Sequence, residues 1–182
     1  MNLLLRLCWL LIVSRFRAAV PPLGPCRTPF RVWPTDLDLL WHVNNGVYFS
    51  IMDLARIDLM IRAGMSGRIR ANGWYPVVVA ETIQFRRSLN PFQRFEIQTR
   101  VLGWDDKGLV LEQQFFRGEE SVAHALVRAR FLSRRGGTVP PAELVALFGL
   151  PPESPAMGDY AAQWNAAQGE WRGARTAKRA VL

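Results

Sequence analysis

A long helical pattern that is apolar around most of its circumference constrains the fold of this chain more than any other feature. The pattern covers residues 46–65, GVYFSIMDLARIDLMIRAGM, and its polar positions form only a narrow edge. A helix of this kind is buried on most of its sides. An asparagine, Asn44 or Asn45, is placed to cap its start, and Gly64 is placed to end it. The rest of the chain must therefore supply a surface that wraps around one helix.

Four long strand-like runs follow this helix and can supply that surface. The links between them, SLNP, WDDK and GEE, are short and turn-like, which predicts an antiparallel meander. A shorter run, residues 27–33, precedes the helix. We expect an α+β hotdog fold, in which one curved antiparallel sheet wraps around one long central helix. The four runs cover residues 75–86, 92–102, 108–117 and 121–133.

We divide the chain into three parts. Residues 1–25 are predicted to form an apolar helix and a linker rich in proline, and residues 26–137 the hotdog domain. Residues 138–182 are predicted to form a helical extension, with short helices over residues 140–148 and 159–171.

The apolar run near the start, within residues 2–20, is too short to span a bilayer. Arg6 interrupts the run and Ser14 ends it, whereas a spanning helix needs about 20 apolar residues. Arg15 and Arg17 follow, which favours a helix that lies in a membrane interface with its arginines towards anionic headgroups. A helix that packs on the domain and an uncleaved signal anchor remain open. We expect a cytoplasmic domain, peripheral to the inner face of a membrane, and a deletion of residues 1–20 that keeps activity and reduces membrane recovery.

The composition excludes several classes of protein. Two cysteines and two histidines are too few for a disulfide scaffold or a multi-histidine metal site, so we expect no metal and no cofactor. The absence of a Gly-rich phosphate loop argues against a nucleoside triphosphatase. A formal net charge of +8, carried almost entirely by arginine, suits the phosphates of coenzyme A or of anionic lipid. Because no basic stripe is interleaved with aromatic residues, we expect no nucleic-acid partner.

Two carboxylates, an imidazole and two amides gather just before the long helix, in the stretch 33–48, WPTDLDLLWHVNNGVY. A carboxylate can attack a carbonyl carbon or activate a water, and the free amides of a helix start can stabilise the oxyanion that forms. The alternative interpretation is a network of satisfied caps. The clustered polar residues are Asp36, Asp38, His42, Asn44 and Asn45.

The segment DLDLLWHVNNGVY, residues 36–48, resembles the D-x-D-x-x-x-H-V-N-N-x-x-Y signature of hotdog acyl thioesterases of the 4-hydroxybenzoyl-CoA thioesterase type. It is also similar to the corresponding motif of plant acyl-ACP thioesterases, and resembles in particular the thioesterase-superfamily member six proteins. The segments VVVAETIQFRRSLNPFQRFEIQTRVLGWDDKG and DYAAQWNAAQGEW extend the resemblance over most of residues 27–171.

The resemblance implies an acyl-thioester hydrolase of lipid metabolism that acts on acyl-CoA or on acyl carrier protein. It assigns the nucleophile or general base to Asp38, matches His42 to the family histidine, and assigns the oxyanion donors to the first amides of the helix. At the position of the plant enzymes' catalytic asparagine this chain has Leu40, so an Asp-centred mechanism is expected. The residues implied in support or oxyanion binding are Asn44, Asn45, Gly46, Val47 and Tyr48.

Several charged residues in or next to the predicted strands have both a functional and a structural interpretation. By alternation, Glu81 lies on one strand face with Val79 and Ile83, and is either a carboxylate that reaches a second subunit's site or a paired structural charge. Arg86 and Arg87 are candidates for contacts with the phosphates of coenzyme A, or form a solvated sheet edge. His124 is expected to be a satisfied histidine of the core or of a sheet face.

The sequence also leaves alternatives open for the oligomeric state and for the function. A sheet with an open edge and one helix predicts a homodimer or a dimer of dimers. The competing functions are a non-catalytic protein that binds acyl thioesters at a membrane surface and a hotdog hydratase or dehydratase.

Overall fold

The computed structural model of the chain describes residues 3–168, in which one antiparallel sheet lies against a long helix. The strands are β1 (Cys26–Arg31), β2 (Trp74–Phe85), β3 (Arg94–Trp104), β4 (Leu109–Arg117), β5 (Glu120–Ser133) and β6 (Thr138–Val139). The helices are α1 (Leu3–Val13), α2 (Asn45–Arg62), α3 (Met65–Ala71), α4 (Pro141–Leu147) and α5 (159–168). The predicted α+β hotdog architecture is confirmed.

The sheet has the order β1-β3-β4-β5-β2, with the short β6 paired to the end of β5, and each paired strand runs antiparallel to its neighbour. The predicted meander is correct for β3, β4 and β5 but wrong for β2, which pairs with β5 across the sheet. β1 occupies the place beside β3, so the SLNP link is a crossover and not a hairpin. Leu89 in that link is fully buried, which holds the crossover against the core.

Helix α2 supplies the centre of the core. Ile51, Met52 and Ala55 are almost fully buried in one cluster with apolar side chains from β3, β4 and β5. Burial of each large apolar side chain contributes about 1.5–3 kcal/mol, so this face stabilises the fold far more than helix propensity does. The helix therefore lies where its apolar pattern predicts.

Capping residues determine where α2 begins and where it ends. The side-chain oxygen of Asn44 accepts the N–H of Gly46 at 2.9 Å and satisfies one of the free amides at the helix start. Gly64 has a φ of +68°, a left-handed conformation that favours glycine, and it separates α2 from α3. The prediction that Gly64 ends the helix is therefore confirmed, with the last helical residue at Arg62, and α3 occupies part of the predicted loop.

The segments after β5 pack back onto the sheet. α4 confirms the helix predicted over residues 140–148, and residues 159–168 confirm the described part of the helix predicted over 159–171. Arg128 of β5 ion-pairs with Asp105 at 2.7 Å, and Asn165 of α5 donates to the same carboxylate at 3.0 Å. The β3–β4 hairpin, β5 and α5 are thus joined by one polar cluster.

Helix α1 packs against α2 through one narrow stripe. Arg6, Leu10 and Ser14, four residues apart, point inwards, and most of the other side chains of the segment are exposed. None of the helices within residues 3–168 has the length and apolar character that crossing a bilayer requires.

A buried carboxylate fixes the end of this segment. Asp58 of α2 is fully buried and accepts hydrogen bonds from Ser14 at 2.6 Å, from Thr28 of β1 at 2.7 Å, and from Arg17 and Arg62, each at 3.3 Å. Arg17, expected at a membrane surface, is therefore directed to the interior.

Candidate active site

A tight loop of residues 37–43 carries two of the predicted site residues. Its ends are joined by a β-bridge between Leu37 and Val43 and by a hydrogen bond from the Asp38 N–H to the His42 carbonyl at 2.9 Å. Asp38 Oδ1 accepts the N–H of Leu40 at 2.8 Å and that of His42 at 3.4 Å. The loop therefore closes around the carboxylate of Asp38 and leaves its second oxygen without a hydrogen-bond partner among residues 3–168.

The start of α2 provides the predicted amides, but they are not equivalent. The N–H of Gly46 is used by the cap on Asn44, and the N–H of Val47 donates to the Asn44 carbonyl at 2.9 Å. The N–H of Asn45 has no acceptor among the described residues. Because the free amides of a helix start carry partial positive charge, Asn45 is the best placed donor for a developing oxyanion.

An open pocket of about 360 Å³ joins the loop, the start of α2 and the end of β2. It brings together six of the predicted residues, whereas Asn44, Gly46, Val47 and Glu81 do not line it. The lining residues are Asp38, Leu40, His42, Val43, Asn45, Tyr48, Phe85, Arg86, Arg87 and Ser88.

Two arginines, Arg86 and Arg87, also line this pocket. The backbone amides of Arg86 and Arg87 both donate to the Val122 carbonyl, at 2.9 and 3.1 Å, which fixes where these residues leave the sheet. The Arg87 guanidinium lies 3.4 Å from Glu120, and Arg86 has no carboxylate partner within residues 3–168. The lining of the pocket therefore combines one carboxylate, that of Asp38, with the guanidinium groups of Arg86 and Arg87.

Tyr48 closes the inner end of the pocket. Its ring is buried and lies edge-on to Phe85, with centroids 4.8 Å apart, and tilted against Phe115. Burial raises the pKa of the Tyr48 hydroxyl, although a hydrogen bond with the Leu89 backbone opposes the shift. The group therefore stays protonated and neutral in the pocket that Asp38 also lines.

Glu81 belongs to a different polar centre, in the middle of α2. Its carboxylate lies 2.8 Å from the Arg56 guanidinium, which also ion-pairs with Asp53 and donates to the buried Gln113 at 2.7 Å. Burial raises the pKa of Glu81, the positive charge and hydrogen bond of Arg56 lower it, and the negative charge of Asp53 adds to the rise. Within one protomer Glu81 is thus a paired charge.

His124 also lies away from the pocket. Its Nε2 is 2.9 Å from Glu112 Oε1, and Arg100 donates to the other oxygen of the same carboxylate at 2.5 Å. His124 is a satisfied histidine of the sheet, and the catalytic imidazole candidate remains His42.

An ion pair between Arg6 and Asp36 lies at the base of the loop, and the sequence does not predict it. The buried side chain of Arg6 donates to Asp36 Oδ2 at 2.5 Å, and Asp36 Oδ2 also accepts the N–H of Trp33 at 2.8 Å. The sequence feature that indicates this pair is the single arginine inside the apolar run, because a buried charge requires a partner.

Two grooves flank α1. One, of about 620 Å³, is mainly apolar and lies between α1, α2 and β2. The other, of about 640 Å³, lies between α1 and the edge strand β1 and contains arginine and aromatic side chains, among them Trp9, Arg31, Trp33 and Arg94.

Comparison with known proteins gives a consistent result. A family model described as the thioesterase-like superfamily matches residues 32–156. The chain is similar to protein THEM6 of Xenopus laevis, with 38% identity over 99 residues that cover 54% of this chain and 48% of the relative. The chain spans about half the length of the curated relatives it matches.

Solved structures resemble the fold. The probable thioesterase YbaW of Escherichia coli is 23% identical, with a TM-score of 0.60, and the match covers 66% of this chain and 94% of that one. The BH1999 gentisyl-coenzyme A thioesterase is 21% identical, also with a TM-score of 0.60, over 66% of this chain and 99% of that one. At these identities the likeness establishes the fold.

Proposed function

The chain belongs to the thioesterase-like superfamily, and on that premise we propose that it hydrolyses acyl thioesters, releasing a free acid and a thiol from acyl-CoA or acyl carrier protein. One observation carries the proposal: the free carboxylate oxygen of Asp38 and the unused N–H of Asn45 belong to residues that line the same open pocket. The name of protein THEM6 states no activity, whereas two of the similar solved structures are named as thioesterases.

The chemistry follows from the charges in the pocket. Asp38 acts as nucleophile or general base, so that a C–O bond forms at the thioester carbonyl, directly or through a water that Asp38 deprotonates. The negative charge on the carbonyl oxygen is stabilised by the N–H of Asn45 at the positive end of α2. The C–S bond then breaks, and the thiolate takes up a proton, either the one that Asp38 removed from water or one from His42, the other ionisable side chain of the loop. In the direct route, a water then hydrolyses the acyl anhydride on Asp38, which releases the free acid and restores the carboxylate.

Arg86 and Arg87 support a substrate that carries phosphate. Guanidinium groups bind phosphate through paired hydrogen bonds, and these two arginines line the same pocket as Asp38. Coenzyme A and the phosphopantetheine arm of acyl carrier protein both carry phosphate, which fits these arginines.

Two further proposals concern the assembly. The strand β2 is a sheet edge of twelve residues with exposed Val78 and Val79, and such an edge pairs readily with another strand. We infer a homodimer, or a dimer of dimers, that pairs through β2, next to the end of the strand that carries Phe85 and the two arginines. Glu81 on the same strand could then approach a second subunit's site.

The outer face of α1 supports contact with a membrane. Leu4, Leu5, Trp9, Ile12 and Phe16 are all exposed, and the arginine groove lies beside them. An apolar helix face next to cations is typical of proteins that lie on anionic bilayers. We therefore place the domain in the cytoplasm, at the inner face of a membrane. The same face favours the second candidate function, a membrane-surface protein that binds acyl thioesters without cleaving them.

Thiol release from a panel of acyl-CoAs tests the function and separates the two candidates. The panel runs from acetyl to palmitoyl and includes benzoyl and phenylacetyl. An Asp38→Asn variant keeps a side-chain oxygen that accepts the loop N–H groups but has no basic carboxylate, so we expect turnover to fall about 100-fold or more with the fold intact. Asp106→Asn, in the exposed β3–β4 turn, is the matched control and should retain turnover.

Two outcomes would count against hydrolysis. If Asp38→Asn turns over as fast as the wild type, the assignment of Asp38 is wrong. If the folded wild type binds acyl-CoA tightly but releases no thiol from any acyl-CoA or acyl carrier protein, the non-catalytic binder is the correct function.

A further inference from the structure

Arg6 of α1 is buried although it interrupts an apolar helix. Its side chain is only 5% exposed, and it donates to Asp36 Oδ2 at 2.5 Å and to the Arg31 carbonyl at 3.1 Å. The side chain of Asp36 is 4% exposed. A buried ion pair of this kind contributes little net stability compared with apolar residues, and is often retained because it fixes a geometry.

Asp36 stands at the base of the loop that carries the proposed catalytic carboxylate. Its backbone carbonyl accepts the N–H of Asn44, the cap of α2, at 2.8 Å. Its side chain holds the N–H of Trp33 at 2.8 Å. Asp36 therefore ties together the chain that enters the loop and the chain that leaves it, two residues before Asp38.

The outer part of the loop has no comparable support. Leu39, Leu40 and Trp41 are 98%, 75% and 70% exposed, so they pack on little of the protomer. The hydrogen bonds of Asp38 Oδ1 run to N–H groups within the same loop. The position of the carboxylate relative to α2 is thus set at the base of the loop.

We propose that Arg6 is a positioning residue whose ion pair with Asp36 holds the loop of residues 37–43 so that Asp38 stands at the start of α2. This inference rests on the proposed thioesterase function and assigns α1 a role in it. It also reverses the expectation that residues 1–20 are dispensable for activity: their deletion should lower turnover.

A second tether allows stability to be separated from positioning. Arg17 and Ser14 bind Asp58, which lies thirteen residues beyond the start of α2, about 20 Å along the helix axis at 1.5 Å per residue. Both tethers join the first segment to a buried carboxylate of the domain. Loss of the Asp58 tether should loosen the segment without moving the loop.

The decisive comparison is Arg6→Met against Arg17→Met, with Asp58→Asn as a variant that removes a buried charge far from the loop. We expect all three to melt at lower temperature than the wild type. Only Arg6→Met should lower kcat on a short acyl-CoA, by about 10- to 100-fold, with KM within about twofold, because a small displacement of a catalytic group has that effect. Arg6→Lys should recover part of the loss, and Asp36→Asn should show the same loss without adding to that of Arg6→Met.

Hydrogen exchange of residues 37–44 provides a measurement that does not depend on activity. We expect both Arg6 variants to speed the exchange of the His42–Asn44 amides, with a larger increase in rate for Arg6→Met than for Arg6→Lys. Arg17→Met should leave the exchange rate unchanged. If exchange and kcat change equally in the Arg6 and Arg17 variants, or in neither, the positioning role is wrong. If the wild type turns over no thioester, the proposed function fails, but the exchange data still decide whether Arg6 holds the loop.

Discussion

Asn44 combines two contacts that can be separated by mutation. Its side-chain oxygen caps α2 at the Gly46 N–H, and its backbone N–H binds the Asp36 carbonyl. Removing the side chain therefore affects the helix start while it leaves the backbone link to the loop.

We predict that Asn44→Ala lowers the free energy of unfolding by about 1 kcal/mol, the usual cost of losing a helix cap, and also lowers kcat because the neighbouring Asn45 N–H loses its fixed direction. Denaturant unfolding and thiol release measure the two effects. Asn44→Asp keeps a capping oxygen and should stay close to the wild type in stability. An Asn44→Ala protein as stable as the wild type would show that the cap contributes nothing.

At the residue scale, the sequence predicts most of the polar residues that line the pocket, but it does not predict the ion pair at the base of the loop. Asp38, His42, Asn45 and Tyr48 were expected at the site because the motif and the helix start name them. Arg6 could not be paired with Asp36, since thirty residues separate them and only packing of α1 on the domain brings them together. Glu81 was ambiguous for the same reason, because its partner Arg56 lies on another element.

At the scale of elements, the bounds of the predicted strands agree closely with the structure. The predicted pairing of β2 with β3 is wrong, because β2 pairs with β5. Alternating apolar residues define which segments are extended and which face is buried, and they contain no information on which strand lies alongside. Short links favour adjacent pairing, so β2 was expected beside β3. The buried Leu89 converts that link into a crossover, and the crossover is also the segment that brings Arg86 and Arg87 to the pocket.

The pairing of β4 with β5 includes a charged cluster with a defined pH dependence. A hydrogen bond from His124 and the charge and hydrogen bond of Arg100 lower the pKa of Glu112 below its usual 4.5, against a rise caused by burial. Because the folded pKa is the lower one, this carboxylate stabilises the fold above about pH 4.5 and loses its contribution as pH falls through the folded value.

We predict that Glu112→Gln lowers the free energy of unfolding by about 1.5–3 kcal/mol at pH 7, the range for hydrogen bonds to a charged group, and that the difference from the wild type shrinks below pH 4.5. Urea unfolding over pH 3–8 measures this. Glu119→Gln, exposed in the neighbouring turn, should change stability by less than about 0.5 kcal/mol at each pH. A difference that does not depend on pH would mean that the charge of Glu112 is not what stabilises the cluster.

At the scale of the whole molecule, the outer face of α1 and the edge of β2 are two of the apolar surfaces that remain exposed within residues 3–168. We assign the first to a membrane and the second to another copy of the chain. The assignment depends on shape as well as on apolar character, because a strand edge offers unpaired backbone groups that another strand can match, whereas a helix face has none to offer.

One lysine on each surface tests both assignments together. Val79 has no partner opposite it on β5, where the pairing shifts register, and it is 37% exposed, so Val79→Lys should disturb the protomer little while it places a charge on the edge. We predict that Val79→Lys gives a monomer by sedimentation, with reduced turnover, but still binds vesicles of anionic phospholipid. Ile12→Lys, on the outer face of α1, should remain dimeric but float less with those vesicles.

The two variants exchange their effects if the surfaces have been assigned the wrong way round. Ile12→Lys would then be the monomer, since α1 would be covered by a second copy, and Val79→Lys would keep the wild-type assembly. Vesicle binding that is the same for zwitterionic and anionic lipid would indicate that the apolar face acts without the neighbouring arginines, because their attraction requires negative headgroups and weakens with salt. Float assays at low and high salt, run on both variants and the wild type, therefore separate the apolar contribution of α1 from the electrostatic one.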